Sequence, residues 1–122
     1  MGWEESWWFG GGSPLERSRT HFLPMTQDAL SLRAMLFTWG APGGLRPTFQ
    51  VTLLDAEGNA LAYADGGDGA LLQAEHLPAG EYWLRVEPLT AAGVPGPNLG
   101  GYSLDVRALH PFEVYALEHG GY

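Results

Sequence analysis

Apolar and polar side chains alternate with a period of two along much of this chain. Alternation across residues 30–36 predicts a β-strand, because successive side chains of a strand point to opposite faces of a sheet. The pattern recurs at residues 49–53, 82–87 and 102–106, and the sequence shows no helical apolar stripe of useful length. The inward residues are predicted to be Leu30, Leu32, Ala34 and Leu36; Phe49, Val51 and Leu53; Tyr82, Leu84 and Val86; and Tyr102, Leu104 and Val106. The alternation therefore predicts an all-β fold.

Glycine and proline mark the ends of these strands. The chain holds 18 Gly and 9 Pro, and they cluster at the predicted turns. Residues 55–59 predict a hairpin, since Gly and Asn tolerate the positive φ of such turns. Short strands between Gly- and Pro-containing turns predict an antiparallel sandwich or barrel.

Aromatic side chains crowd the N-terminus. Trp3, Trp7, Trp8 and Phe9 precede a Gly-Gly-Gly-Ser-Pro run at residues 10–14, which continues neither a helix nor a sheet ladder. We therefore predict an extended N-terminal arm at residues 1–20, a β-sandwich at 21–109, and a C-terminal strand and tail at 110–122. Soluble proteins rarely leave such aromatic groups exposed, so we expect the arm to pack on its own sandwich or on a neighbouring molecule.

Composition excludes several classes of function. The 122 residues carry a formal net charge of −8, and the six basic residues are all arginine. Scattered arginines on an acidic protein disfavour nucleic acid and anionic membranes as partners. The absence of cysteine excludes disulfides and thiolate metal sites. No apolar run is long enough for a membrane helix, and the first residues lack a secretory signal pattern.

Three segments resemble the bacterial pre-peptidase C-terminal domain. They are residues 53–61, which hold a D-x-x-G-N hairpin; residues 79–87, which match A-G-x-Y-x-x-x-V; and residues 101–106, which contain Y-x-L-x-V. The resemblance covers roughly residues 21–108. It implies a jelly-roll-like β-sandwich of about eight strands, in a family whose members are usually non-catalytic appendages of secreted peptidases. Relatives in collagenases bind calcium and collagen.

Residues 65–69 form the best candidate metal site. Asp65 and Asp68 lie on a glycine-rich loop and are candidate calcium ligands, since calcium binds hard oxygen atoms. A solvated turn is the alternative interpretation, because Asp and Gly are common in turns. The four histidines lack the spacing of metal ligands, and we place them at surface or edge positions. We expect no cofactor other than that candidate calcium.

The sequence shows no catalytic motif. It contains no G-x-S-x-G element, no P-loop and no dinucleotide-binding fingerprint. We therefore expect a protein without enzymatic activity.

Two hypotheses for function remain open. The first is a structural subunit of a virion, filament or cell-surface assembly, which contacts neighbouring protein chains or copies of itself through its terminal arms. The second is a secreted accessory module that binds a polymer or cell wall, with or without calcium. Both place the protein outside the cell, on a cell surface or in a virion. If Tyr82 faces inward, Trp83 and Arg85 face outward, as an interface anchor or a sugar-stacking platform.

Overall fold

A computed structural model describes residues 2–11, 18–39, 48–90 and 101–111, and these residues are built almost entirely from β-strands. The described strands are β1 (Gly2–Gly11), β2 (Arg19–Met25), β3 (Ala29–Trp39), β4 (Thr48–Leu54), β5 (Ala60–Gly66), β6 (Leu71–Leu77), β7 (Gly80–Leu89) and β8 (Gly101–Pro111). No helix in the described ranges is long and apolar enough to cross a membrane.

The strands form two four-stranded sheets. The first sheet has the order β1-β8-β3-β6 and the second has the order β2-β7-β4-β5. All neighbouring strands are antiparallel. Among the described strands, only β4 and β5 are consecutive within one sheet, and every other connection crosses between the sheets. This order is that of a jelly roll, so the predicted fold class is confirmed.

The core lies between the two sheets and contains most of the side chains that the alternation assigns to the inside. Phe49, Val51 and Leu53 are buried, as are the inward residues predicted on β7 and β8. The fully buried side chains with the largest volumes include Tyr102, Phe49, Leu23, Leu32, Leu36, Leu53, Leu72, Leu84, Leu104 and His110.

The predicted hairpin at residues 55–59 is present between β4 and β5. Asp55 Oδ1 accepts hydrogen bonds from the backbone N–H groups of Glu57 at 3.0 Å and Asn59 at 2.8 Å. Gly58 has a φ of 84°, a backbone angle that residues with a side chain rarely adopt. The backbone hydrogen bond from Asn59 is the main reason that the pKa of the exposed Asp55 carboxyl is below its usual value.

Residues 2–11 differ from the predicted arm because they are a strand of the sandwich. β1 pairs with β8 from Gly2↔Pro111 to Gly11↔Tyr102 and forms one edge of the first sheet. Trp7 and Phe9 are partly buried and pack against the core, so the strand is anchored by its side chains as well as its backbone. Gly10 and Gly11, which begin the Gly-rich run, pair with Ser103 and Tyr102, so the prediction that this run does not continue a sheet ladder is wrong for these two residues.

Near one end of the first sheet, the alternation of buried and exposed residues is interrupted. Leu32 is buried as predicted, but Leu30 is exposed and Ala29 is buried in its place. On the paired strand β6, Leu72 and Leu77 are both buried although they are an odd number of residues apart. His76 lies in this break with a φ of 55°. The prediction that Leu30 faces inward is wrong, because the alternation breaks on both strands between the pairs Ala29↔Leu77 and Ser31↔Glu75.

Of the predicted C-terminal strand and tail, His110 and Pro111 are the end of β8, and residues 112–122 lie outside the described residues.

Candidate functional site

The outer face of the first sheet carries aromatic and charged side chains in register. Strand pairing sets them in rows across the sheet. One row joins Trp8, Asp105, Met35 and Leu71, and the next joins Ser6, Arg107, Arg33 and Gln73. On the other side of the first row, Gly10, Ser103 and Phe37 are paired, followed by Gly101 and Trp39. We call this surface the β1-β8-β3-β6 face.

Two aromatic side chains stand side by side on this face. The rings of Trp8 and Phe37 are stacked, with centroids 6.0 Å apart and planes 24° apart. Trp8 remains 65% exposed, so the pair is an accessible apolar surface rather than part of the core.

The indole of Trp39 packs over its row partner Gly101. A Cβ atom on Gly101 would be 2.6 Å from Trp39 Cε2, so a side chain at this position would displace the indole. The indole therefore packs directly on the Gly101 backbone. Trp39 is still 51% exposed, which leaves a flat aromatic surface open to a ligand.

Charged side chains lie beside these rings. A shallow groove of about 260 Å³ is lined by Arg33, Met35, Leu71, Asp105 and Arg107. Arg107 Nη2 is 3.2 Å from Asp105 Oδ2, and Arg107 Nη1 is 3.5 Å from Glu4 Oε1. The hydrogen bond to Asp105 raises the pKa of Arg107 above its ordinary value. The groove thus combines fixed donors and acceptors with apolar walls.

The residues predicted to bind a partner are divided among three places. Trp8 lies on the β1-β8-β3-β6 face, whereas Trp7 and Phe9 lie on the inner side of β1 against the core. Trp83 and Arg85 lie on the outer face of the second sheet, where the Trp83 ring is 5.3 Å from that of Phe22. The structure therefore does not bring Trp8 and Trp83 together.

Trp3 belongs to a buried polar cluster at the other end of β1. Its ring is 4.3 Å from the ring of His110, which is fully buried. His110 Nε2 is 3.0 Å from Glu5 Oε1, and His110 Nδ1 is 2.9 Å from the carbonyl oxygen of Asp28. The prediction of a surface or edge position is wrong for His110, because its ring joins β1, β8 and the turn before β3.

The candidate calcium ligands lie near the β5–β6 turn. Asp68 Oδ1 accepts a hydrogen bond from the backbone N–H of Thr38 at 2.8 Å, and Asp65 is exposed at the end of β5. Within the described ranges, no group of three or more His, Asp or Glu side chains is arranged to hold a metal ion. Calcium binding at Asp65 and Asp68 stays a prediction.

Sequence reasoning missed two of the aromatic residues on the β1-β8-β3-β6 face. Phe37 and Trp39 continue the outward positions of Arg33 and Met35 on the same strand. Extending the alternation by three residues beyond Leu36 would have found both. Ser103, Asp105 and Arg107 alternate with the inward residues of β8 and face outward, although Ser103 is only 7% exposed.

Comparison with known proteins gives similarity of overall shape only. No family model matches the sequence, and no curated protein does. The mitogen of Yersinia pseudotuberculosis aligns at 13% identity and a TM-score of 0.48, covering 87% of this chain and 86% of the mitogen. CsCBM6-3 of Clostridium stercorarium, solved with cellobiose, aligns at 16% identity and a TM-score of 0.40, covering 82% of this chain and 75% of that one. The resemblance to the pre-peptidase C-terminal domain stays a prediction.

Proposed function

We propose that the protein is a non-catalytic binding module whose β1-β8-β3-β6 face binds a polysaccharide. The observation that carries this proposal is the flat, half-exposed indole of Trp39 on Gly101. An exposed aromatic plane stacks on the C–H face of a sugar ring, and its apolar surface favours such contact in water.

The arrangement around Trp39 supports a polymeric ligand. Trp39 and Arg33 are six residues apart on β3, which corresponds to about 20 Å along an extended strand. A single sugar is too short to contact both ends of this surface. Polar groups in the groove, such as Asp105 and Arg107, orient a ligand by hydrogen bonds to its hydroxyl groups.

The assembly hypothesis has less support from the same geometry. It was motivated by a free aromatic arm, but Trp7 and Phe9 pack on their own sandwich. The remaining basis is exposed aromatic surface on the second sheet, where Tyr63 is 69% exposed and Phe22 is 45% exposed. Self-association through that surface stays a prediction, and light scattering of the purified chain measures it.

Substitution of Trp39 tests the polysaccharide proposal. We expect Trp39→Ala to abolish the retardation of the protein in native gels that contain xylan, mixed-linkage glucan or pectin. Trp83→Ala is the matched control, because it removes the same side chain from the outer face of the opposite sheet. We expect Trp83→Ala to migrate like the wild type in each gel.

Two outcomes contradict the proposal. One is a wild-type protein that none of the three polysaccharides retards. The other is equal loss of retardation in both variants, with circular dichroism spectra that show both are folded. Light scattering of the same samples reports whether Trp83→Ala changes the oligomeric mass, which is the result that the assembly hypothesis expects.

A further inference from the structure

Two arginines face each other across β3 and β8 on the proposed binding face. Arg33 pairs in register with Arg107 on the same side of the first sheet. Like charges in directly opposed positions destabilise a sheet. Nearby negative charge offsets the repulsion in such a pair. Arg107 and Arg33 differ in whether a carboxylate of the protein contacts them.

Arg107 already has its negative partners. Its Nε and Nη2 atoms hydrogen-bond to the two carboxylate oxygens of Asp105 at 3.3 and 3.2 Å. Its Nη1 atom contacts Glu4 at 3.5 Å. The donors of this guanidinium are directed along its own strand and toward β1.

Arg33 has no such partner within the described part of the chain. It is exposed, and no ion pair or side-chain hydrogen bond joins its guanidinium to any residue described there. Its neighbours in the groove are apolar or already paired: Met35, Leu71, Asp105 and Arg107. The planar fork of Arg33 is therefore available to a ligand, and a guanidinium fork matches a carboxylate with two parallel hydrogen bonds.

We propose that the β1-β8-β3-β6 face selects an acidic saccharide, and that Arg33 binds the carboxylate of one of its uronate residues. This inference rests on the proposed function, since the aromatic rings are taken to hold the sugar chain. A chain that stacks on Trp39 and follows β3 passes Arg33 about 20 Å away.

The net charge of −8 limits the kind of acidic ligand. A dense polyanion such as nucleic acid is repelled over long range and needs a continuous basic surface. A single carboxylate interacts with Arg33 over a few ångströms. Salt screens the interaction of that carboxylate with the more distant acidic charges of the protein. The geometry therefore favours isolated carboxylates on a sugar chain that carries much of its affinity through aromatic stacking.

Isothermal titration with one sugar skeleton in two charge states tests the inference. The probes are an oligogalacturonate that carries one free carboxylate, with its other carboxylates methyl-esterified, and the same oligomer with every carboxylate methyl-esterified. We expect the wild type to bind the acid about tenfold more tightly than the ester. Arg33→Ala is expected to lower the affinity for the acid about tenfold and the affinity for the ester much less, so that the preference is lost.

Two further variants serve as controls. Arg85→Ala makes the same change of charge on the outer face of the second sheet, and we expect it to keep the preference for the acid. Arg33→Lys keeps the charge without the fork, and we expect it to retain only part of the preference.

The results separate this inference from the proposed function. Trp39→Ala could abolish binding while Arg33→Ala weakens the binding of the acid and of the ester equally. That result would support the aromatic site and overturn carboxylate recognition by Arg33. Equal loss of preference in Arg33→Ala and Arg85→Ala assigns the effect to net charge and also overturns it. Tighter binding of dextran sulfate than of the oligogalacturonate, lost in Arg33→Ala, would also overturn carboxylate recognition. If neither oligomer binds, both proposals fail.

Discussion

Tyr102 and His21 form a neutral hydrogen-bonded pair between the two sheets. The Tyr102 hydroxyl lies 2.6 Å from His21 Nε2, and burial raises the pKa of Tyr102 to about 12. Burial also lowers the pKa of His21, with a smaller contribution from the positive charge of Arg19. The Tyr102 hydroxyl therefore keeps its proton, and it donates to Nε2 in the His21 tautomer that is protonated on Nδ1.

We expect this pair to make stability depend on pH. The pKa of His21 is lower in the folded than in the unfolded chain, so the unfolded state binds the proton first as pH falls. The stabilisation is complete above the unfolded value of 6.5 and is lost as pH falls from there through the lower folded pKa. Urea unfolding of the wild type and His21→Gln between pH 8 and about 5 measures this. His21→Gln keeps an acceptor but does not titrate, so its unfolding free energy should fall less over that range. Identical slopes would contradict the assignment.

The sequence predicts that Tyr102 is buried, but it does not predict that Tyr102 contacts His21. The inward position of Tyr102 follows from the alternation of its own strand. The partner of its hydroxyl does not, because His21 is 81 residues away in the chain. Local periodicity indicates which side chain is buried, whereas the hydrogen bond that satisfies it depends on how the two sheets are packed.

For β1, local periodicity indicates which side chains are buried, but it does not indicate which strand β1 pairs with. Its outward and inward positions alternate, with Trp8 exposed between the partly buried Trp7 and Phe9. That pattern is present in the sequence, but the Gly-rich run that begins at Gly10 indicated a tether. Pairing with β8 spans about a hundred residues of separation, and no local signal predicts it.

The two sides of β1 should differ in their effect on stability. We expect Trp7→Ala to lower the free energy of unfolding by about 2 kcal/mol, because it leaves a cavity against the core. Trp8→Ala is the matched change on the exposed side, and we expect an effect within about 0.5 kcal/mol. Chemical denaturation of both variants measures the difference. Equal destabilisation by the two substitutions would mean that β1 does not pack with the described inner face.

The sequence predicts the fold class of the sandwich, but it does not predict which residues share the proposed binding face. Alternation and turn residues were sufficient for an all-β fold, since both are local properties of the chain. The order of strands within each sheet is a tertiary property, and it determines which side chains share a surface. Trp8 and Trp39 are distant in sequence but lie on one face because β1 and β3 both pair with β8. Trp83, which alternation also placed outward, lies on the opposite face.

Titration of the ¹⁵N-labelled protein with the oligogalacturonate or its methyl ester, followed by NMR, identifies the face of the sandwich that contacts the sugar. We expect the indole N–H signals of Trp39 and Trp8 to shift progressively with added oligosaccharide, while that of Trp83 stays in place. Shifts confined to Trp83, or no shift at Trp39 while another face responds, would contradict binding on the β1-β8-β3-β6 face.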